Sequence, residues 1–274
     1  MRLSRTTAWK LVSSIRIGFD AYHAQGMVRV GEDFFVSSVE ILERTRPYPE
    51  PRGGFDRDQG RGQGWLFQMS AQGDLLDRTK LGEAAIYHAG GLDYDGRWLW
   101  IPVAEYRPGG PSIVYRVDPA AAAPVEAFRF GDHIGAVTRD LRAGTLVGLN
   151  WGGRQAYRWR VDAAGRVREA RAAPRANPAH YVAYQDCHYA GAGRMLCAGL
   201  ADYRPGVAIG GLDLIDLADL RPLWQAPVPA WTPAGRPMTS NPAWFEATPE
   251  GLRGYFLPED GQGTLYVYEA VAKD

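Results

Sequence analysis

Three histidines open three segments of equal length and similar pattern. His23 opens HAQGMVRVGEDFFVSSVE, His88 opens HAGGLDYDGRWLWIPVAE and His133 opens HIGAVTRDLRAGTLVGLN. Imidazole is a poor filler of apolar space, because its ring nitrogens need hydrogen-bond partners or a metal. Neutral imidazoles that converge from successive repeats suit a divalent transition metal such as Zn(II) or Fe(II). The pattern predicts a metal site made of these histidines, against the alternative that they are structural or hydrogen-bond a substrate.

The far ends of the same segments carry carboxylate or amide side chains. In an antiparallel hairpin, the last residue of the second strand lies beside the first residue of the first strand. The expected pairs are Glu40 with His23, Glu105 with His88 and Asn150 with His133. Metal-bound histidines usually donate their second N–H to such groups, so these residues are predicted to orient the ligands. A fourth copy runs from Gln185 to Asp202 and a degraded fifth from Ala243 to Asp260, which adds Asp202 to the predicted orienting residues.

Further candidate residues flank these repeat positions. His188 is a candidate fourth metal ligand if its hairpin carries an irregularity, and the same holds for His180. The candidate general acids or bases are Asp186, Glu246 and Tyr184. The candidate substrate contacts are Gln185, Tyr87 and Trp244. Each has a structural alternative, since aromatic residues at such places commonly pack between sheets.

The elements that must position these residues are almost all strands. Short runs rich in Val, Ile, Tyr, Trp and Leu alternate with turn signals such as Asp95-Gly96 and Ala164-Gly165. No segment shows a helical period over three turns. A second hairpin follows most of the repeated ones, and two hairpins in series make a four-stranded antiparallel sheet. Four strands in a repeat of roughly 45 to 60 residues are typical of a propeller blade.

Five such repeats predict an all-β fold, a five-bladed β-propeller, with six blades as the alternative. The fifth repeat is one strand short, and WKLVSSIRIG before the first repeat is a spare strand. As the outer strand of the last blade it would close the ring. Residues 1–274 are expected to form one propeller domain. Residues 43–64 (ERTRPYPEPRGGFDRDQGRGQG) are expected to be a long loop and a candidate lid, whose arginines could clamp a carboxylate.

Composition bounds the partners and the compartment. The chain balances 31 Lys plus Arg against 31 Asp plus Glu. Without net charge, neither nucleic acid nor a membrane surface is expected as a partner, whereas a small-molecule substrate is. No apolar run approaches the roughly 20 residues that span a bilayer and no signal peptide is recognisable, so a cytoplasmic location is predicted. Cys187 and Cys197 share one hairpin and could form a disulfide, although two buried thiols are the favoured interpretation.

Two resemblances follow from these residues. Over most of the chain the blade pattern resembles the gluconolactonase-like and streptogramin-lyase-like propellers of bacteria, without their catalytic motifs. The histidines backed by glutamates are similar in logic to the carotenoid-cleavage oxygenases, whose larger propeller holds iron with four axial histidines and glutamates behind them. Only His23, His88 and His133 match that arrangement, and Gln185 stands where a fourth histidine would be. The resemblance implies a metal site without fixing a reaction.

The sequence favours a metal-dependent enzyme of hydrolase or lyase type, acting on a small organic molecule at the propeller axis. Zn(II) or Fe(II) on neutral imidazoles would act there as a Lewis acid. Two alternatives stay open. One is an Fe(II)-dependent oxygenase that uses the same histidines, and the other is a non-catalytic propeller that binds a ligand or a protein and uses its histidines as structural links.

Overall fold

The computed structural model describes residues 3–168, 175–176, 182–249 and 251–271. Its regular structure consists of strands and two short 3-10 turns, Trp151–Gly153 and Met238–Ser240. Within these ranges, no helix has the length and apolar character needed to cross a membrane. Five antiparallel sheets of four or five strands stand in a ring. The predicted five-bladed β-propeller is therefore confirmed.

Each blade is built from consecutive strands, with its first strand innermost. The N-terminal strand is β1 (Ala8–Arg16). Blade 1 and its insertion contain β2 (His23–Val30), β3 (Asp33–Glu43), β4 (Pro47–Arg52), β5 (Phe55–Arg57), β6 (Arg61–Met69) and β7 (Leu75–Leu81). Blade 2 contains β8 (Ile86–Ala89), β9 (Asp93–Tyr94), β10 (Leu99–Glu105), β11 (Ser112–Val117) and β12 (Pro124–Phe130). Blade 3 contains β13 (Ile134–Asp140), β14 (Thr145–Asn150), β15 (Gln155–Val161), β16 (Val167–Arg168) and β17 (Arg175–Ala176). Blade 4 contains β18 (Ala183–Gly191), β19 (Arg194–Arg204), β20 (Val207–Asp216) and β21 (Arg221–Pro227). Blade 5 contains β22 (Ala243–Thr248), β23 (Gly251–Phe256) and β24 (Thr264–Val271).

The N-terminal strand completes the last blade. β1 pairs antiparallel with β24, with Ala8 opposite Val271 and Arg16 opposite Thr264. The resulting sheet has the order β1-β24-β23-β22, so β1 is the outer strand of blade 5, as predicted. This pairing covers the edge of β24 and ties the beginning of the ring to its end.

Apolar clusters lie between the blades. Among the described residues there are five such clusters, each shared by two neighbouring blades. Between blades 5 and 1, the rings of Tyr255 and Phe34 lie 5.2 Å apart. Between blades 1 and 2, Leu66 and Ile101 belong to one buried cluster. Because successive side chains of a strand point to opposite faces, each blade packs against both neighbours, and this closes the ring.

Three innermost strands carry a β-bulge near the same end of the axis. The unpaired extra residues are Gln25 in β2, Gly135 in β13 and Gln185 in β18. In blade 2 the innermost strand is instead interrupted at residues 90–92, between β8 and β9. A bulge shifts the pairing register and re-aims side chains. Here the three bulge residues line one cavity.

The two inner strands of neighbouring blades contact one another next to these bulges. The N–H of Gly91 donates to the carbonyl of Gly135 at 2.8 Å, and the hydroxyl of Ser37 donates to the carbonyl of Gly90 at 2.6 Å. A Cβ atom on Gly90 would overlap the carbonyl oxygen of Gly135. Glycine is required here because the neighbouring backbone comes too close for a side chain. The strands of blades 1, 2 and 3 thus meet at the axis.

The insertion in blade 1 has regular structure, which corrects the expectation of a long loop. β4 and β5 pair into a short hairpin. Gly53 and Gly54 form its turn with φ angles of 57° and 86°, a left-handed conformation that glycine adopts without strain. The hydroxyl of Tyr87 in blade 2 donates to the carbonyl of Gln59 at 2.6 Å and holds the end of the insertion.

The two cysteines are bonded to each other. Cys187 of β18 lies directly opposite Cys197 of β19, with a Cα–Cα distance of 4.1 Å, and the two side chains form a disulfide. The favoured interpretation as buried thiols was wrong, because side chains directly opposite in a hairpin point to the same face and can meet. The predicted cytoplasmic location stays a prediction.

Candidate active site

A cavity of about 310 Å³ lies at one end of the axis. Its walls come from the beginnings of the innermost strands of blades 1 to 4, from the ends of the neighbouring strands, and from the segment between blades 4 and 5. This size suits a small organic ligand. The mouth of the axis is therefore the place to look for chemistry.

The structure brings the three predicted histidines together in this cavity. The ring of His88 lies between the other two, with its centroid 6.3 Å from that of His23 and 5.6 Å from that of His133. His88 is 5% exposed and His133 is 2% exposed. His23 begins β2, His88 lies in the short strand β8 and His133 directly precedes β13. Because all three lie near the beginning of an innermost strand, three separate blades can present imidazoles to one space.

Hydrogen bonds define the tautomers of the two flanking histidines. The Nδ1 atom of His23 lies 2.9 Å from a carboxylate oxygen of Asp260, and its Nε2 atom lies 2.9 Å from the amide nitrogen of Gln25. Because a carboxylate only accepts, Nδ1 donates and Nε2 accepts. The Nδ1–H of His133 donates to the carbonyl of Glu105 at 2.7 Å. Both histidines therefore carry the lone pair on Nε2.

His88 has no hydrogen-bond partner for either ring nitrogen within the described part of the chain. Its ring stacks on Tyr106, with the centroids 4.1 Å apart. Burial holds the pKa of His88 well below its usual value, and the neighbouring His133 and His23 add to this effect. Burial also lowers the pKa of His133 to about 4, although the bond to a backbone carbonyl opposes the shift. Both rings are neutral at pH 7, the form that binds metals and accepts protons.

Glu40 does not contact His23, so this predicted pair is wrong. His23 lies opposite Val39, because the bulge at Gln25 shifts the register by one residue. A shift of one residue moves a side chain to the other face of the sheet. There Glu40 accepts the indole N–H of Trp65 at 3.0 Å.

Glu105 contacts a different histidine from the predicted one. His88 lies opposite Ala104, because the register of blade 2 also shifts by one residue near its innermost strand. The carboxylate of Glu105 pairs with Arg107 at 2.5 Å. Its carbonyl, rather than its carboxylate, accepts the N–H of His133. Glu105 therefore orients an imidazole through its backbone.

Asn150 and Asp202 do not occupy their predicted places beside the site histidines. The amide of Asn150 donates to the carboxylate of Asp132 at 3.0 Å, and its backbone pairs with Ile134. Asp202 is exposed and pairs with Ala208 in the next strand. The physical reason is the same as for the glutamates, since segments of equal length do not have equal register once bulges intervene.

The carboxylate that supports His23 comes from blade 5. Asp260 accepts the Nδ1–H of His23 and, at 3.0 Å, the amide N–H of Asn241, while Arg236 lies 3.7 Å away. Burial alone would raise the pKa of Asp260, but the hydrogen bonds from His23 and Asn241 and the nearby charge of Arg236 lower it to about 2. Asp260 therefore stays charged and links three residues of the cavity.

Blade 4 contributes no imidazole to the mouth within the described residues. Gln185 is the bulge residue, as Gln25 is in blade 1, so Ala183 rather than Gln185 holds the position of the histidines. Both Ala183 and Gln185 line the cavity. Tyr184 lines it as well, and its hydroxyl donates to Asp213 at 2.7 Å. Among the predicted acids and bases, Tyr184 is the one that reaches the cavity.

His188 and Asp186 lie outside the cavity lining, so their predicted placement at the mouth is wrong. The Nε2 atom of His188 is 3.3 Å from Asp186 and 2.9 Å from the carbonyl of Ala243, and Nδ1 is 3.8 Å from Asp93. Burial alone would lower the pKa of His188, but Asp186 and Asp93 raise it to about 10. His188 therefore faces two buried carboxylates rather than the cavity. His180, the other candidate, lies outside the described residues.

Asp93, Asp186 and His188, termed the axial triad, join the blades to one another. Asp186 accepts the backbone N–H of Met27 in blade 1 at 2.8 Å, and Asp93 accepts that of Arg139 in blade 3 at 2.8 Å. Asp93 itself belongs to blade 2, and the ring of His188 in blade 4 bonds a carbonyl of blade 5. The triad thus contacts all five blades.

Glu246, Tyr87 and Trp244 lie between blades and do not line the cavity. Glu246 accepts the hydroxyl of Tyr255. Tyr87 is 1% exposed, and burial raises its pKa to about 12. Trp244 packs edge-on against His188, with the ring centroids 4.7 Å apart. Tyr87 and Trp244 each stand one residue from a position that faces the axis. Successive side chains of a strand point to opposite faces, so these two point between the blades.

Nine of the described cavity residues were not predicted, among them four with large or polar side chains that shape its walls. Tyr106 and Trp151 form an aromatic wall with centroids 5.8 Å apart, and Trp151 meets His133 edge-on at 4.8 Å. Arg236 and Asn241 come from the segment between blades 4 and 5. A signal for the wall did exist in the sequence, since an aromatic residue directly follows the last residue of the repeat in blades 2 and 3.

The hairpin of the insertion lies against this wall. The guanidinium of Arg57 is 5.4 Å from the ring centre of Trp151, and that of Arg107 is 3.5 Å from the ring centre of Phe55. Cation–π contacts of this kind stabilise by about 0.5–1 kcal/mol each at exposed sites. The hairpin thus borders the cavity, and its closing as a lid stays a prediction.

The imidazoles as they stand do not form a coordination sphere. Across the described ranges, no three His, Cys, Asp or Glu side chains are placed to hold a metal ion. The amide of Gln25 lies against one of the lone pairs that a metal would use. Metal binding at this site therefore requires the rings to turn.

Solved structures of similar fold include two that match this chain over nearly their full length. Luciferin-regenerating enzyme has a TM-score of 0.53 at 9% identity, over 97% of this chain and 96% of that chain. Regucalcin from Agrobacterium tumefaciens, described as a calcium-binding protein, has a TM-score of 0.52 at 13% identity, over 96% and 94%. A bifunctional GH43-CE protein from Bacteroides eggerthii has a TM-score of 0.58 at 12% identity, over 97% of this chain but 35% of that chain. At these identities the likeness shows the fold alone.

Sequence comparison identifies the family and leaves the reaction open. A search of curated proteins finds none that matches the sequence. The site itself must therefore carry the functional argument. One family profile matches from the first residue to the last, and the chain belongs to that family over residues 1–274, a family of unknown function (DUF6454).

Proposed function

We propose that this protein is a metal-dependent enzyme that acts on a small organic molecule in the cavity. The metal is a divalent transition ion, Zn(II) or Fe(II), held by His23, His88 and His133. The reaction is of hydrolase or lyase type, because an ion on three neutral ligands retains open positions for water or a substrate oxygen.

The partnerless imidazole of His88 carries this proposal. It is buried, neutral, and without a hydrogen bond to either nitrogen in the described part of the chain. Each unsatisfied buried polar group costs about 1–3 kcal/mol, so a fold tolerates one where a ligand completes it. The ring stands between two further imidazoles, and a metal ion is the ligand that all three can share.

The tautomers of the flanking histidines support the same conclusion. His23 donates its Nδ1–H to a carboxylate, and His133 donates its Nδ1–H to a backbone carbonyl. Metal-bound histidines commonly have this arrangement, since the acceptor fixes the ring and raises the basicity of the other nitrogen. Both rings thus keep Nε2 as the atom that would bind.

The distances between the rings require a modest rearrangement. Imidazoles bound to one Zn(II) at about 2.0–2.1 Å have ring centres roughly 5 Å apart. The observed separations are 5.6 Å between His88 and His133 and 6.3 Å between His88 and His23. The separation of His88 and His133 is within about 1 Å of that value, whereas His23 must also leave the amide of Gln25.

The chain's own residues prepare the site for this chemistry. A bound metal would lower the pKa of a water ligand or polarise a substrate oxygen. Asp260 and the carbonyl of Glu105 hold two imidazoles in the binding tautomer. The rings of Tyr106 and Trp151 cover one side of the cavity and exclude water there.

Metal content tests the proposal directly. We expect about one equivalent of Zn(II) or Fe(II) in protein purified without a histidine tag, or after anaerobic reconstitution, measured by inductively coupled plasma mass spectrometry. His88→Gln should bind none, because it removes the central ligand while keeping a polar side chain. Gln185→Ala is the matched control, since it alters another cavity residue of an innermost strand and should keep the metal. No metal in the reconstituted parent, or full occupancy in His88→Gln, would overturn the proposal.

The identity of the metal separates the reaction classes. Zn(II) favours hydrolase or lyase chemistry. Iron with substrate-dependent oxygen uptake, followed with an oxygen electrode, favours the oxygenase. A parent protein that binds organic ligands in the cavity but no metal, and does not convert them, favours the non-catalytic binding propeller.

A further inference from the structure

We infer that the substrate of this cavity is an organic carboxylate, whose anionic group is held by Arg236 and whose flat apolar body lies against Trp151. This inference names the substrate class and rests on the proposed function for the reaction. Its evidence is the charge and shape of the cavity, which do not depend on the metal.

Arg236 is the one guanidinium or ammonium group among the described residues that line the cavity. A turn fixes its backbone, because Thr232 donates its N–H to the carbonyl of Arg236 at 2.8 Å and accepts the N–H of Arg236 at 3.1 Å. Its side chain is 38% exposed and lies 3.7 Å from Asp260, which is beyond hydrogen-bond distance. The planar guanidinium can therefore receive a carboxylate through two N–H groups.

The rest of the lining does not repel an anion. No Asp or Glu occurs among the described residues that line the cavity. Asp260 does not line the cavity, but its charged side chain is about half exposed: one oxygen accepts N–H groups from His23 and Asn241, and the other lies 3.7 Å from Arg236. Around Tyr106, burial raises the pKa, the charges of Arg44 and Arg57 oppose this shift and the charge of Asp260 adds to it. Arg236 is therefore the cation that an anion meets in the described lining.

The aromatic wall of the cavity suits a flat apolar group. Trp151 and Tyr106 lie at an interplanar angle of 32°, and the guanidinium of Arg57 lies 5.4 Å from the ring centre of Trp151. With about 310 Å³ of space, the cavity takes a body of roughly the size of one aromatic ring. A ligand that has both a carboxylate for Arg236 and a flat ring for the aromatic wall is a planar organic acid. Benzoate is a simple probe of this class.

Benzoate and its neutral analogue benzamide provide the test. Metal-free protein, prepared by passage over a chelating resin, is titrated with each compound by ligand-observed NMR at low ionic strength. We expect benzoate to bind at least about 10-fold more tightly, because a hydrogen bond to a charged group contributes more than one to a neutral group. Arg236→Gln should abolish this preference, and Trp151→Leu should weaken both compounds equally. Arg166→Gln, an exposed arginine paired with Asp162, is the matched control and should change neither.

Equal affinities for the two compounds, no binding of benzoate, or a preference that survives Arg236→Gln would overturn the inference. The outcome of the metal test does not depend on the outcome of the benzoate test. If the parent binds no metal but prefers benzoate through Arg236, the proposed metal chemistry falls and the carboxylate site stands. If metal binds but the preference is absent, the substrate class falls alone.

Discussion

The protein holds buried histidines in two places along one axis, and they have opposite charge states. His88 at the mouth is 5% exposed and has no hydrogen-bond partner within the described chain, and burial holds its pKa well below the usual value. His188 in the axial triad is 4% exposed, yet Asp186 and Asp93 outweigh its burial and raise its pKa to about 10. Burial is the same in both, so the neighbours decide the charge.

This contrast separates a structural histidine from one available to a ligand. The partner of His188 is close in sequence, since Asp186 stands two residues before it, and the carboxylates also bind backbone groups of other blades. His88 is followed by Ala89, Gly90 and Gly91, which offer it no side-chain partner. A buried histidine whose own strand supplies no polar partner is the better candidate for a functional site.

Substitution of His188 is expected to have the largest effect on stability. His188→Gln should lower the free energy of unfolding by about 3–5 kcal/mol, because it leaves two buried carboxylates without their cation. His88→Leu should change it little or increase it, since it removes a ring whose nitrogens have no partner. Urea unfolding of the metal-free proteins, followed by tryptophan fluorescence, measures both. Similar losses in the two variants would contradict the comparison, whereas a His188→Gln chain that fails to fold beside a folded His88→Leu supports it.

The pH dependence of stability should follow the axial triad. The carboxylates that face His188 are those of Asp93 and Asp186. Its pKa of about 10 in the folded protein exceeds its value in the unfolded chain, which is about 6.5. A raised pKa contributes stability that is fully present below about pH 6.5 and is lost as the pH rises toward about 10. The free energy of unfolding should therefore fall by roughly 1.4 kcal/mol per pH unit between about pH 7 and 9.

Two histidine variants test whether His188 causes this pH dependence of stability. His88→Leu should keep the slope, and His188→Gln should lose it. The measurement is a series of urea unfolding curves in one buffer system at constant ionic strength. A flat profile in the parent would show that His188 is not a cation in the folded protein.

Replacing Asp260, the carboxylate that accepts the Nδ1–H of His23, should have the smallest of these effects, a loss of metal affinity. Asp260→Asn should weaken Zn(II) binding by roughly 10- to 100-fold, because a neutral acceptor raises the basicity of the imidazole less. Asp202→Asn is a matched control at the same repeat position of blade 4, where the side chain is exposed. Glu105→Gln is a second control, since that carboxylate bonds Arg107. Competition with a chelating dye measures the affinities, and equal effects of Asp260→Asn and Asp202→Asn would contradict the assigned contact.

Features that recur in every blade could be predicted from the sequence. Turn residues and strand patterns repeat five times, so they indicate the blades, and counting strands places β1 in the last blade. The convergence of His23, His88 and His133 follows from the same repetition. These predictions depend on the spacing of the repeats along the sequence, and a bulge changes pairing within a blade without changing that spacing.

Features that depend on register or on contacts between blades could not be predicted. The bulges at Gln25 and Gln185 each add one unpaired residue without a distinctive composition, and they displaced the predicted partners of the histidines. The contact from Asp260 to His23 joins the last blade to the first, so no hairpin periodicity reveals it. The positive charge of the His188 ring depends in part on Asp93, a residue of another blade.

The pairing of β1 with β24 also determines when the site can exist during synthesis. β1 leaves the ribosome early and stays without its partner until the last strand of blade 5 has been made. Blades 1 to 4 can form their hairpins meanwhile, since those contacts are local. The support of His23 by Asp260 and the approach of Arg236 both wait for the segment that closes the ring. Completion of the ring and assembly of the cavity are therefore one late folding step.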